Sequence, residues 1–207
     1  GNASVFSFHR TKTLTTGEGG ALLLDNKKAF MYCRMLRDHG RHPNSKDLFN
    51  EEFSFKYMPS NLQASLACSQ LKKIKLLLKL KRNIFTNYKR YLEKIEDKIK
   101  MNQDDTSVKN SCWSIIIYFK SVNIKYLKNI RKKLVSNGFY PRPFFYPITY
   151  IPAYRKKDKN YKRFKKLNPI AYSTHKKGLV LPSSYILTKA KIKRISNIII
   201  REIKDEK

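Results

Sequence analysis

The apolar positions of this chain fall into short strand-like runs and longer helical stripes that alternate along its length. Val5, Phe6 and Phe8, set among serines, predict a strand from Ser4 to His9, and the apolar run Ala21–Leu24 follows it closely. Asp25-Asn26 reads as a turn and helix cap. Ala29, Phe30, Cys33, Met35 and Leu36, at mixed spacings of three and four, predict a helix over Lys27–His39 that stops at Gly40. Arg41–Phe55 has no period and predicts a long irregular loop, the kind of segment that often carries function. Pro59 and Ser60 open a helix that runs through Leu62, Leu66, Leu71, Ile74, Leu77, Leu78 and Leu80, with a kink, to about Ile95.

Beyond a polar linker at Glu96–Lys109, Ser111–Lys120 is aromatic and β-branched and predicts a buried strand. Asn123 is placed to cap a helix ending at Asn137-Gly138, with Ile124, Leu127, Ile130, Leu134 and Val135 as its apolar face. Phe139–Tyr146 predicts a second strand or extended segment. Asn168-Pro169-Ile170-Ala171 starts a short helix, and Thr188 caps a last one whose Ile192, Ile195, Ile199 and Ile203 should pack on a sheet. The pattern predicts an α/β chain with three parts: residues 1–58, a long connecting helix over 59–100, and a small α/β domain over 101–207.

The 207 residues are enough for one domain or two small ones. Lys plus Arg number 45 against 15 Asp plus Glu, a net charge of +30. Such a balance points to nucleic acid or an acidic surface. The basic residues are spread along the whole chain, however, and lysine loaded onto solvated faces explains them as well. The run Leu76–Arg82 reads as such a face. Arg155–Lys166, with Tyr154, Tyr161 and Phe164 interleaved, reads as a solvated insertion, not a stacking surface. Cys33, Cys68 and Cys112 have no metal-ligand spacing and read as small buried thiols in a reducing compartment. With no signal peptide and no apolar run of spanning length, the chain is expected to be soluble and cytoplasmic.

Candidate chemistry gathers at Phe6–Gly20. Lys12 lies between two predicted strands, among the hydroxyls of Ser7, Thr11, Thr13, Thr15 and Thr16, and before the turn Gly17-Glu18-Gly19-Gly20. A lysine amine forms Schiff bases with carbonyl compounds, pyridoxal phosphate included, once burial or nearby positive charge lowers its pKa. Ser7-Phe8-His9-x-x-Lys12-x-Leu14-Thr15-Thr16-Gly17-Glu18-Gly19-Gly20 resembles the signature of the pyridoxal-phosphate-dependent sugar aminotransferases of the DegT/DnrJ/StrS family. The resemblance implies that Lys12 carries pyridoxal 5'-phosphate covalently and that Ser7 bonds its phosphate. It places His9 at the cofactor's edge, as a substrate-binding candidate beside its bland reading as a structural histidine.

Four further segments resemble the family, in its order. Leu36-Arg37-Asp38-His39-Gly40 is similar to a Leu-Arg-x-His-Gly element; His39 there reads first as a helix-end residue. Tyr57-Met58-Pro59-Ser60-Asn61-Leu62-Gln63-Ala64, continuing to Gln70-Leu71, resembles a segment that reaches into the neighbouring subunit's site, which implies a homodimer with shared active sites. Many members carry Asn-Tyr-Arg where this chain has Lys56-Tyr57-Met58. Lys56 could still serve the cofactor phosphate as a point charge, with Tyr57 toward substrate, whereas Met58 cannot replace an arginine. Gly178-Leu179-Val180-Leu181-Pro182-Ser183, the last, resembles a Gly-Leu-x-Leu-Pro element. Pro141-Arg142-Pro143-Phe144-Phe145-Tyr146-Pro147 precedes it, and the prolines flanking Arg142 fix an extended path. They present Arg142 rigidly to a carboxylate or phosphate, and Thr149 stands where the family often has histidine.

The resemblance implies the C-terminal portion of a fold-type-I transferase, comprising the end of the large-domain sheet, a connecting helix and a small domain. It further implies a glutamate-to-nucleotide-sugar transamination, with a 4-keto-6-deoxy sugar as in perosamine synthesis for surface polysaccharide. The chain starts at Gly1 almost within a strand, so the ring stacker, the acid facing the pyridine nitrogen and the first phosphate loop are expected upstream. The fragment alone is expected to be inactive. The rival reading is a basic, non-catalytic module binding nucleic acid or an acidic partner on a decayed aminotransferase fold; the intact Ser7, Lys12 and Gly17–Gly20 speak against decay.

Overall fold

The computed structural model describes residues 1–121, 124–155 and 161–204. It divides into two compact units, Gly1–Leu77 and Leu78–Lys207. The expected cap at Asn123 and the middle of the Arg155–Lys166 segment lie outside the described residues.

In the first unit, β1 (Ala3–Ser7) pairs antiparallel with β2 (Gly20–Leu24), in a register from Ala3 opposite Leu24 to Ser7 opposite Gly20. The strand ends two residues before His9, because the chain turns at Phe8 to form the Lys12 loop. Helix α1 (Lys27–Leu36) starts where expected: the Asn26 side chain accepts from the Ala29 N–H at 2.9 Å. It is shorter than the pattern predicted. Asp38 leaves the helix to form an isolated bridge with Lys56, and His39 takes φ 58° while its N–H donates to Phe55 O. Gly40, at φ 70°, is required there, since a Cβ would lie 2.0 Å from the carbonyl oxygen of Glu52.

The predicted long helix is two elements. Helix α2 (Asn61–Leu71) begins with a full capping box, in which the Ser60 hydroxyl receives the Gln63 N–H and the Gln63 side chain receives the Ser60 N–H. A turn at Lys72-Lys73 separates it from α3 (Ile74–Leu92), within which the two units divide. The leucines expected to bury α2 do not do so within this chain: Leu62 is 82 % exposed and Leu71 59 %. Strand β1 is exposed along its whole length.

The second unit is built on a four-stranded antiparallel sheet of order β3-β4-β6-β5. Its strands are β3 (Ile99–Met101), β4 (Ile115–Phe119), β5 (Arg142–Pro143) and β6 (Gly178–Leu181). The polar linker thus contains a strand. The expected strand Phe139–Tyr146 shrinks to two residues, because prolines at both sides of Arg142 cannot donate to a ladder. In β4, Ile115, Ile117 and Phe119 are buried and the residues between them are half-buried. Helices α4 (Ile124–Ser136) and α8 (Lys189–Lys204) pack on each other. Ile130 and Leu134 of α4 join the core; Ile124 and Val135 stay exposed. All four α8 isoleucines predicted to face inward are buried with Ile115, Ile117 and Leu179. Between them Ser196 is buried too, its hydroxyl without a partner among the described residues. Short helices α5 (Pro152–Arg155), α6 (Tyr161–Leu167) and α7 (Pro169–Thr174) fill the connection to β6.

The basic run on α3 is not wholly solvated. Lys81 is 5 % exposed, donates to Ser183 O at 2.6 Å and lies 4.5 Å over the Tyr185 ring; burial pulls its pKa down. Arg82 forms an ion pair with Asp104 at 2.5 Å and donates to Asn110 O. The hydrogen bond from Arg82 to Asp104, with one from the Asn110 N–H, holds the Asp104 carboxyl below the usual range. The thiols also differ from expectation: Cys112 is buried, Cys33 half-buried and Cys68 exposed.

Candidate active site

The Lys12 loop is closed at its stem by Phe8. The Phe8 N–H donates to Gly19 O at 2.8 Å, while Phe8 O accepts from the Thr16 N–H at 2.9 Å and the Thr15 hydroxyl at 3.0 Å. Within the loop, the Lys12 N–H donates to His9 O at 2.9 Å, which makes a tight turn and puts Lys12 at its tip, half-buried. Leu14 and Thr16 are buried beneath. The return path needs left-handed backbone at Gly17 (φ 82°) and φ 140° at Gly19, where a Cβ would meet the Thr16 hydroxyl at 2.8 Å.

Around the tip, Ser7 Oγ accepts from the His9 N–H at 3.4 Å. His9 Nδ1 lies 3.0 Å from the Thr11 hydroxyl and its Nε2 3.6 Å from a Glu18 carboxylate oxygen, so the ring is oriented from both sides. Ser7, His9 and Lys12 therefore belong to one loop. Lys56 and Tyr57 form a second cluster: Lys56 Nζ is 3.5 Å from Asp38 Oδ1, the Tyr57 N–H donates to Arg37 O at 2.8 Å, and the Tyr57 side chain is 69 % exposed. Arg142 is in the second unit, on the edge strand β5. There it lines a cavity of about 490 Å³ with Phe144, Phe145, Tyr146 and His175. His175 is buried, bonds Ala171 O through Nδ1 at 3.3 Å, and stands 5.3 Å from the Tyr146 ring. Thr149 turns to the Tyr172 hydroxyl at 2.8 Å.

Two residues to which sequence reasoning assigned no role touch the loop directly. Gln70 receives the Thr15 N–H on Oε1 at 3.1 Å and donates from Nε2 to Thr15 O at 2.7 Å. Gln63 donates to Glu18 O at 3.2 Å. Both stand in the second resembling segment. Their spacing of two helical turns, which puts them on one face, was the available signal.

A primary amine at a loop tip, with an exposed serine hydroxyl at the loop stem and oriented imidazole between them, suits an aldehyde-bearing phosphate ester: the amine for the carbonyl, the hydroxyl for a phosphate oxygen. The family model described as "DegT/DnrJ/EryC1/StrS aminotransferase family" matches residues 1–200. The chain belongs to that family. It is 27% identical over 199 residues to a GDP-perosamine synthase of Vibrio cholerae, covering 96% of this chain and 52% of that one. A putative sugar aminotransferase of Streptococcus pneumoniae, Spr1654, shares the fold at a TM-score of 0.84 and 20% identity, over 98% of this chain and 52% of that one. So does Helicobacter pylori PseC, an aminotransferase involved in the biosynthesis of pseudoaminic acid, at a TM-score of 0.79 and 22% identity, over 99% and 54%. The chain spans about half the length of the curated relatives it matches, and the expected fold class, the C-terminal portion of a pyridoxal-phosphate-dependent transferase, holds. The reading as a basic, non-catalytic module draws no support from these relatives. Among the described residues, no helix is long and apolar enough to cross a membrane.

Proposed function

We propose that this chain is part of a pyridoxal-phosphate-dependent aminotransferase that moves an amino group from glutamate to a 4-keto-6-deoxy nucleotide sugar. The observation that carries the reading is the half-buried Lys12 at the tip of a loop bonded to Phe8 at its stem. The loop fixes the stretch of main chain from which the amine is presented. The perosamine synthase relative supports the sugar class.

In this reading Lys12 Nζ would hold the cofactor through its aldehyde, with release of water. Its amine, when not so engaged, would take the proton from the donor's Cα and give it back, serving as base and then acid. The bound cofactor supplies an electron sink for the charge left behind. Ser7 donates its hydroxyl to a phosphate oxygen. His9, held between Thr11 and Glu18, offers a ring nitrogen at the loop's edge toward substrate. Lys56 and Tyr57 serve a neighbouring subunit's site, Lys56 as a charge for phosphate, in a homodimer with shared sites. The exposed leucines of α2 and the exposed β1 are faces that such an assembly would cover. Arg142 takes an anionic group of the donor or of the sugar nucleotide, against the aromatic wall of its cavity.

The test uses the full-length parent protein. Incubation with pyridoxal phosphate, borohydride reduction and peptide mapping should place the label on Lys12, and Lys12→Ala should abolish both label and amination. A label on another lysine, or undiminished amination by the alanine variant, rejects the proposal.

A further inference from the structure

We infer that Gln70, supported by Gln63, is a positioning residue for the Lys12 amine, tying the loop that carries it to helix α2. The inference rests on the reading of Lys12 given above.

The loop has two kinds of restraint. Its stem is bonded to Phe8, the first residue after the strand it leaves. Its tip is turned by the main-chain bond from Lys12 N–H to His9 O and by the Thr11 N–H, which donates to His9 Nδ1. Between tip and stem stands Thr15, and both of its main-chain polar groups are taken by one side chain from another element. The Thr15 N–H goes to Gln70 Oε1 and the Thr15 carbonyl receives Gln70 Nε2. This is the pairing that a neighbouring strand would offer, supplied here by a carboxamide. Because one group must accept and the other donate, the two bonds also fix which way the amide faces. Glutamate would lack the donor, and asparagine would be one carbon short.

The second contact lies about 10 Å along the same helix face. Gln63 Nε2 donates to Glu18 O in the glycine turn, while its Oε1 closes the capping box by accepting from the Ser60 N–H at 2.9 Å. One side chain thus joins the start of α2 to the turn beside His9's carboxylate partner. The loop meets α2 at Thr15 and Glu18, on the return limb that follows Lys12. A shift of α2 would carry that limb, and with it the amine.

The experiment compares the full-length parent protein with its Gln70→Ala, Gln70→Glu and Gln63→Ala variants, and with Ser69→Ala as a control on the same helix. Two measurements are made. In the cofactor-free protein, amide hydrogen exchange over residues 10–20 should quicken about tenfold in Gln70→Ala, for two lost bonds of ordinary strength. Gln70→Glu should fall between, because it keeps an acceptor for Thr15 N–H, and Gln63→Ala should free the turn more than the tip. In the loaded protein, the pH at which the cofactor's absorption band titrates should move in Gln70→Ala and stay put in Ser69→Ala. A merely structural loss would lower stability without moving that midpoint.

Wild-type exchange together with a wild-type midpoint in folded Gln70→Ala overturns the inference. If that variant does not fold, Gln70→Glu and Gln63→Ala decide it by the same two measurements. Should the wild-type protein fail to label at Lys12, the functional proposal falls on its own. The exchange measurement still tells whether the glutamines hold the loop, and an unprotected Thr15 in the wild type ends the inference as well.

Discussion

Single residues decide the backbone path around the site, and Gly40 shows how. Its φ of 70° and the 2.0 Å approach that a Cβ would make to Glu52 O leave no room for a side chain. The Gly40 carbonyl in turn accepts from the N–H groups of Glu51 and Glu52, so the contact pins the end of the Arg41–Phe55 loop. Gly40→Ala should therefore cost more than about 1 kcal/mol, with the loss concentrated in faster proteolysis across residues 41–55. An unchanged melting temperature and digestion pattern would show that the loop is not anchored there. At this scale the sequence was informative where an amino-acid type has one dominant use. Gly40 was read as the helix stop, whereas α1 ends at Leu36 and Gly40 serves the loop that follows. Asn26 and Ser60 as caps, and Gly17 and Gly19 in a turn, were readable. Gln63 and Gln70 were not, since a glutamine on a helix is most often a solvated side chain. Only the loop folded against α2 reveals that their amides face main-chain groups. Lys81 misled in the opposite sense: a lysine in a basic run looks solvated until Ser183 and Tyr185 are brought over it.

Elements were legible in proportion to how much of them is buried within this chain. Helix α8 and strand β4 put their apolar residues into one core, and their periods survive in the sequence. Strand β3 has three residues, too few to show a period, and it exists because β4 offers it a ladder. The single long helix became two because the leucine spacing continues through Lys72-Lys73, although the backbone turns there. Packing energetics follow the same division. Ile195→Ala in α8 should lower the stability of unfolding by about 2–5 kcal/mol, as deletion of a fully buried branched side chain does. Its neighbour should respond with the reverse sign. The Ser196 hydroxyl is buried and unpartnered among the described residues, so Ser196→Ala removes a desolvated polar group and is expected to raise stability by about 1 kcal/mol. Denaturant titration of the two variants checks the pair, and a destabilised Ser196→Ala would mean that the hydroxyl has a partner in solution.

For the molecule as a whole, the charge of +30 indicated no partner, and the family resemblance carried the functional reading instead. Charge does matter for how the 207 residues behave in solution by themselves. Val5 on β1, Leu23 on β2, and Phe49 and Phe53 beyond α1 all stand more than half exposed. Among the described residues, no further strand pairs with either edge of the two-stranded sheet. Sticky flanks on a strongly cationic particle make a colloid whose dispersion depends on ionic strength. Mutual repulsion keeps particles apart in dilute buffer, and it fades as the screening length drops from about 30 Å at 0.01 M salt to about 8 Å at 0.15 M. Light scattering across that range should show a monodisperse solution turning turbid as sodium chloride is added, the reverse of what salt does to complexes held by opposite charges.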